Sequence, residues 1–583
     1  MSDPTPANAQ TLLGPEQRAA AWERLGSEQF DVVVIGGGVV GAGAALDAAT
    51  RGLKVALVEA RDFASGTSSR SSKMFHGGLR YLEQLEFGLV REALYERELS
   101  LTTLAPHLVK PLPFLFPLTK RWWERPYIAA GIFLYDQLGG AKSVPAQKHL
   151  TRAGALRLSP GLKRTSLIGG IRYYDTVVDD ARHTLTVVRT AAHYGAVVRS
   201  STQVVALLRE GDRVIGVQVR DSENGMVTDV RGHVVVNATG VWTDEIQALS
   251  KQRGRFRVRA SKGVHVVVPR DRIVSEVAII LRTEKSVLFV IPWGTHWIIG
   301  TTDTDWNLDL AHPAATKADI DYLLGEVNKA LATPLTHDDI DGVYAGLRPL
   351  LAGESEETSK LSREHAVAVP APGLVAIAGG KYTTYRVMGQ DAIDAAAEFI
   401  PAGVAPSITE KVPLMGADGY FALINQTESV GAHYDLHPYR VRHLLDRYGS
   451  TIGEVLQMAH ENAEARPDLL DPITEAPVYL KVEAYYAAAA EGALHLEDIL
   501  ARRMRISIEY PHRGVDCARE VAETVAPVLG WTAEDVDREV ATYCARVDAE
   551  VRSQQQPDDE SADALRAAAP EARAEILEPV PLS

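Results

Sequence analysis

Residues 31 to 59 constrain the fold of this chain more than any other stretch. They run Asp31-Val-Val-Val-Ile35, then Gly36-Gly37-Gly38-Val-Val-Gly41, then a small-residue helix, then Lys54-Val-Ala-Leu-Val-Glu59. Strand, glycine turn, helix, strand and terminal carboxylate is the order a dinucleotide-binding fold requires. Gly36, with Gly37 beside it, permits the tight turn. Gly38 lets a pyrophosphate approach the backbone, and Gly41 lets helix and strand pack closely. A helix beginning near Val39 turns unpaired N–H groups and its positive dipole end toward phosphates. Glu59 follows Gly41 by 18 residues, where a carboxylate accepts hydrogen bonds from a ribose hydroxyl pair.

That motif serves NAD and FAD alike; three later segments favour FAD. Val234-Val-Val-Asn237-Ala238-Thr-Gly240 is an apolar strand entering a small-residue turn, suited to passing close to an adenylate. Leu374-Val-Ala-Ile-Ala-Gly379-Gly380-Lys381 is another buried-type strand, followed by a helical run that includes Thr383. A helix N-terminus there stabilises negative charge on a reduced flavin ring. Ser65-Gly-Thr67-Ser68-Ser69-Arg-Ser-Ser72-Lys73 is a hydroxyl-rich stretch able to line a pyrophosphate. Each segment alone reads as turn chemistry; their order along one chain is the argument. No second GxGxxG follows, which disfavours a reductase with a separate nicotinamide domain.

At 583 residues the chain has room for roughly three to four domains. Hydrophobic content of 46% and charged content of 23% are globular values. Cys517 and Cys544 are the only cysteines and lie far from the glycine motifs, which fits a reducing, cytoplasmic setting and excludes a disulfide framework or a cysteine-ligated cluster. Histidines and carboxylates lack metal-site spacing. The net charge of −15 argues against nucleic acid as a partner. Residues 1–29 lack the character of a secretory signal, and no run of 18 apolar residues exists to span a membrane.

The expected organisation is α/β and interleaved. A Rossmann-type FAD domain takes residues 30–111, 172–256 and 348–400, after an N-terminal extension over 1–29. A β-sheet substrate cap takes 112–171 and 257–347. Alanine-rich segments at 440–459, 477–503, 516–529 and 532–551 repeat apolar residues at helical spacing, giving an all-α domain over 406–552. The acidic, proline-containing end, 553–583, reads as disordered.

The chain closely resembles the FAD-dependent, respiratory glycerol-3-phosphate dehydrogenases from about Phe30 to Val547. Besides the glycine turn, the resemblance rests on Thr67-Ser-Ser-Arg-Ser-Ser-Lys73, His76-Gly-Gly-Leu-Arg80-Tyr81, Lys262-Gly-Val-His265, Ala345-Gly-Leu-Arg348-Pro, Ser362-Arg363-Glu-His365 and Gly379-Gly-Lys-Tyr-Thr-Thr-Tyr-Arg386. It implies a D-amino-acid-oxidase-like flavin fold and oxidation of sn-glycerol 3-phosphate to dihydroxyacetone phosphate, with electrons passed to a membrane quinone.

A phosphomonoester needs fixed cations, and the planar arginine fork meets phosphate oxygens in pairs. Arg80, Tyr81 and Arg363 are assigned mainly to the phosphate, Arg348 and Lys381 nearer the glycerol hydroxyls and the flavin. Removing the hydroxyl proton requires a base. His76 is the favoured one, four residues before Arg80, with His265 next. The cofactor set is Gly36, Gly37, Gly38, Gly41, Glu59, Ser68, Ser69, Ser72, Lys73, Ala238, Gly240, Gly379, Gly380 and Thr383.

Residues 120–135 combine basic side chains, two tryptophans and an apolar run, suiting either a helix at the inner face of the cytoplasmic membrane or a core helix of the cap. Arg253, Arg255, Arg257, Arg259 and Lys262 form a second basic strip that anionic headgroups or plain solvent would accommodate. A homodimer is the candidate assembly. Two alternatives remain beside the quinone-linked enzyme: a soluble glycerophosphate oxidase using oxygen, and an RNA-modifying flavoprotein, which would want a basic face or a cysteine near the flavin.

Overall fold

The computed structural model describes residues 11–78, 81, 86–119, 124–139, 143–165, 167–250, 257–283, 287–352, 364–573 and 576. The glycine motif sits in an eight-stranded sheet whose main path is His365–Ala371, Leu374–Gly379, Val227–Asn237, Gln29–Ile35, Val55–Val58 and Val197–Arg199. Gln29–Ile35 runs parallel to both neighbours, with Val32 opposite Val234 and Val55. Strand alternation divides its side chains. Val32 and Val34 share a core with the helices Val39–Thr50, Asp180–His193 and Tyr385–Ala397. Val33 and Ile35 pack on the other face with Ala21 and Leu25 of helix Pro15–Ser27 and with the antiparallel strands Thr202–Glu210 and Arg213–Asp221. Both faces are covered, so the strands read as unbroken apolar runs.

A ten-stranded mixed sheet forms the second layer. Its long strand Val258–Pro269 is antiparallel to His296–Gly300 and Gly342–Leu351, placing His265 opposite Gly300 and Tyr344. One face carries Val264, Val266 and Trp297 against helix Lys317–Asn328. The other packs Val267, Ile280 and Ile298 against helices Phe87–Leu99 and Glu124–Gly139. Lys110–Leu118, Gly169–Val177 and Gly342–Leu351 all belong to this sheet, so it runs a few residues past the boundaries read at 112, 172 and 348. Ladder pairing with distant strands sets those ends, and local sequence does not carry that information.

Several expectations change. The stretch 440–459 is two helices, Pro438–Tyr448 and Ile452–Glu461, broken at Gly449, which has φ +57° and whose added Cβ would collide with Gly416 O. The stretch 477–503 is a strand, Ala476–Leu480, a helix, Lys481–Ala490, and a turn of π-helix, Asp498–Arg503, with Gly492 at φ +70° between the last two. Thr532 and Asp535 form a capping box that opens helix Ala533–Ser553. Of the tail expected to be disordered, Asp559–Ala567 is instead a helix and Arg573 is buried, while 574–575 and 577–583 lie outside the described residues. Three of its charges are paired, Asp559 with Lys262, Arg566 with Glu550 and Arg573 with Asp498, which composition alone does not reveal.

The basic strip changes at two of its members: Arg259 pairs with Asp305, and Lys262 is 1% exposed between Asp319 and Asp559, while Arg257 is exposed and Arg253 and Arg255 lie outside the described residues. In helix Glu124–Gly139 Ile128, Ile132 and Tyr135 are core, while Tyr127 and Phe133 are exposed. Residues 120–123 lie outside the described residues. Among the described residues no helix is long and apolar enough to cross a membrane.

Candidate active site

A cavity of about 2240 Å³ opens where the parallel strands of the first sheet end, at Ile35, Ala238 and Ala378, and continues beneath His265, Phe289 and Arg348 of the second. Ordinary small-ligand sites hold roughly 300–1,000 Å³, so this volume suits a dinucleotide with a second molecule beside it.

The glycine turn supplies its floor. Gly36 has φ +108°, a region open to glycine. A Cβ on Gly41 would collide with Gly36 O, so the helix–strand contact demands glycine there. A Cβ on Gly38 meets nothing nearer than Ser68 Oγ at 3.2 Å, and Gly38 caps helix Val39–Thr50 without a side-chain acceptor. That exposed helix end, with Ser68 Oγ accepting from Val39 N at 2.9 Å, is a cradle fitted to a diphosphate. Gly37 N donates to Glu59 Oε2 at 2.6 Å and Arg61 N to Oε1 at 2.8 Å, fixing the carboxylate at the cavity edge. Burial raises its pKa, with the two backbone bonds opposing. Gly240, Gly379 and Gly380 line the wall at positive φ, joined by Ser72 and Thr383.

At the other end, His76, Tyr81, His265, Arg348 and Lys381 converge on the same cavity. His265 is fully enclosed, stacked on Tyr344 at 4.7 Å, with Nε2 2.9 Å from Ser72 Oγ. Burial first, then the Arg348 and Lys73 charges, hold it well below the usual histidine range. Arg348 lies across Gly263, donating to Thr301 Oγ1 and Thr302 O, both at 3.1 Å. The Lys381 ammonium sits 3.9 Å from the centroid of the Tyr81 ring. His76 is half-buried, and its backbone N–H and carbonyl both bond Thr383 Oγ1, at 3.2 and 3.3 Å. Arg80 and Arg363 lie outside the described residues.

Four residues of the expected cofactor set are absent from the wall: Gly37, Gly41, Ser69 and Lys73. The glycines shape the turn from behind. Lys73 is a correction: it is fully buried, with Nζ 2.8 Å from Asp180 Oδ1 and 3.1 Å from Ser69 O. A buried ammonium needs a counter-ion, and Asp180, 107 residues away, supplies it. Arg505 of the helical region joins this cluster through Asp179 at 2.6 Å and through Asp180. Two wall elements escaped the sequence reading. Arg70 lies in the hydroxyl-rich stretch already singled out and reaches Ala311 O at 2.9 Å, its pKa lowered to about 10 by burial. The C-terminal residues Arg566, Arg573 and Ile576 had no local signal.

Comparison with known proteins agrees with this fold. Residues 31–386 match the family model described as FAD dependent oxidoreductase, and 407–536 match the C-terminal domain of alpha-glycerophosphate oxidase. The chain is 88% identical over 570 residues to glycerol-3-phosphate dehydrogenase 2 of Mycobacterium tuberculosis, covering 98% of this chain and 97% of that protein. It is 35% identical over 541 residues to the human mitochondrial glycerol-3-phosphate dehydrogenase, covering 89% and 73%. The crystal structure of the Bacillus halodurans glycerol-3-phosphate dehydrogenase complexed with FAD superposes with a TM-score of 0.78 at 28% identity, covering 94% of this chain and 100% of that one. The fold is thus the D-amino-acid-oxidase-like flavin fold with a sheet cap and a C-terminal helical domain, and the cofactor is FAD. With cradle, cap and helical domain in one order along one polypeptide, the chain belongs to the FAD-dependent glycerol-3-phosphate dehydrogenases.

Proposed function

We propose that this chain oxidises sn-glycerol 3-phosphate to dihydroxyacetone phosphate and delivers the electrons to a membrane quinone. The observation that carries the reading is the single cavity joining the glycine cradle to His76, His265, Arg348, Lys381 and Tyr81. Bound FAD supplies the hydride acceptor for the C2 hydrogen of the alcohol. His76 takes the hydroxyl proton as that bond breaks. Arg348 and Lys381 hold the developing carbonyl oxygen, and Tyr81, with Arg80 and Arg363, holds the phosphate.

The acceptor reading is supported by one stretch of the wall. Phe87, Tyr127, Ala130, Gly131 and Leu134 carry the cavity to the surface of the two helices that hold them, where Phe87 and Tyr127 are exposed; Phe133, outside the wall on the second helix, is 58% exposed. An apolar entrance of that kind suits a quinone ring arriving from lipid, with the protein bound peripherally at the inner face of the cytoplasmic membrane. A second reading, oxygen as acceptor, draws on the resemblance of residues 407–536 to the oxidase domain. Steady-state oxidation of glycerol 3-phosphate with a short-chain quinone, compared with peroxide release in air, separates the two. Fast quinone turnover with little peroxide is expected; dominant peroxide formation overturns the quinone assignment, and equal turnover of plain glycerol overturns the phosphate assignment.

A further inference from the structure

We infer that the C-terminal segment, residues 559–573 with Ile576, is a cofactor-retaining strap that closes the ribose end of the FAD cavity. The rim it covers is built by two loops. Thr202 N donates to Glu59 O and Ser201 N to Arg61 O, each at 2.7 Å, so residues 59–61 and 201–202 form one continuous edge around the ribose-facing Glu59. Both loops are gripped by the segment. Glu571 accepts from Arg61 Nη1 at 2.5 Å, and Arg573 Nε donates to Ser201 Oγ at 2.8 Å. Glu571, Arg573 and Ile576 then face the same cavity as Glu59 and Thr202.

Its anchors lie in different parts of the molecule. Asp559 pairs with Lys262 of the second sheet, Arg566 meets Glu550 at 3.0 Å, and Arg573 meets Asp498 of the helical region at 3.0 Å. The Arg573–Asp498 pair is buried on both sides, so it is shielded from the screening that weakens surface ion pairs, while Asp559 and Glu550 each keep about a third of their side chain in solvent. A segment held at several points across a cofactor's edge slows its departure, because the cofactor leaves only after these contacts, the buried Arg573–Asp498 pair among them, separate.

The test uses the full-length holoenzyme. Glu571→Gln and Arg573→Gln should weaken FAD affinity roughly ten- to hundredfold, read as free-flavin fluorescence on dilution, with Arg573→Lys recovering part of it. At saturating FAD the KM for glycerol 3-phosphate should stay within about twofold of wild type. Hydrogen exchange on the unaltered protein gives an independent reading: amides over residues 561–573 should exchange faster once FAD is removed. Wild-type FAD affinity in both folded variants overturns the inference. So does weakened affinity with exchange over the segment indifferent to FAD, because the effect would then come from general destabilisation.

Discussion

The Ser72 hydroxyl and His265 Nε2 lie 2.9 Å apart, tying the hydroxyl-rich loop to the second sheet at the reacting end of the cavity. The imidazole is held neutral by burial and by two neighbouring cations, which makes His265 a poor proton acceptor at neutral pH. His76→Asn should therefore lower the single-turnover rate of flavin reduction by roughly 10²–10⁴, the usual worth of general-base catalysis, while FAD content stays normal. His265→Asn should lose no more than about tenfold, the part owed to orienting Ser72. Anaerobic stopped-flow reduction checks both, and the opposite ranking assigns the base to His265.

Gly41 and Gly38 should behave differently although both belong to the motif. Gly41→Ala drives a methyl into Gly36 O, backbone that cannot yield, so FAD content should be almost lost. Gly38→Ala meets only Ser68 Oγ at 3.2 Å and should fold normally with weaker FAD binding. The flavin-to-protein absorbance ratio together with thermal melts separates lost binding from lost fold.

Arg348 holds its fork on Thr301 and Thr302 while presenting the guanidinium to the cavity. Arg348→Ala should cost roughly 1.5–3 kcal/mol of transition-state binding, the range for a charge-assisted hydrogen bond. Arg348→Lys should recover little, since a point charge cannot reproduce the fork. The ratio of kcat/KM values for glycerol 3-phosphate measures it; wild-type values in Arg348→Ala would remove the residue from the site.

Acid should destabilise the protein well above the carboxylate range. Burial pushes His107, His183 and His312 down to about 3, against an ordinary 6.5. Between those pH values the unfolded chain binds more protons than the folded one, so stability falls as pH drops from about 6.5 toward 3. His495 acts in the opposite sense: burial opposes its charge, but bonds to Glu223 and Glu539 raise it to about 10. Its contribution is complete below 6.5 and is lost as pH rises through 10. Melting temperature against pH should show both flanks, and His183→Asn should flatten the acid one.

Tyr127 lines the apolar entrance and is exposed, and Phe133 is exposed on the same helix, Glu124–Gly139. Phe133→Ser with Tyr127→Ser should cut turnover with a quinone embedded in vesicles by roughly tenfold or more, as apolar membrane contact is lost. Reduction of the flavin by substrate in solution should be unchanged. Equal vesicle turnover in the double variant would place the membrane contact elsewhere.

Much of this site was legible locally because its chemistry is local. Gly36, Gly38, Gly41 and Glu59 sit at spacings that a single strand–turn–helix–strand unit imposes, and their backbone demands are written in residue type. His76, His265, Arg348 and Lys381 came from separate motifs, and all of them reach one cavity. Lys73 was misjudged because its short-range context, a run of hydroxyls, concealed a buried carboxylate 107 residues away.

The sequence by itself determined the dinucleotide cradle, the order of the cofactor and cap segments, and the helical character of the later chain. Those depend on side-chain periodicity and glycine conformation, which act over a few residues. Tertiary structure alone decided that the basic residues at 259 and 262 are consumed by ion pairs, that the alanine-rich runs break at Gly449 and Gly492, and that residues 559–567 of the acidic tail form a helix. Charge is the reason the tail was misread. A carboxylate or guanidinium in a sequence looks solvated until its counter-ion is placed beside it, and Asp559, Glu571 and Arg573 find theirs about 75 to 510 residues away.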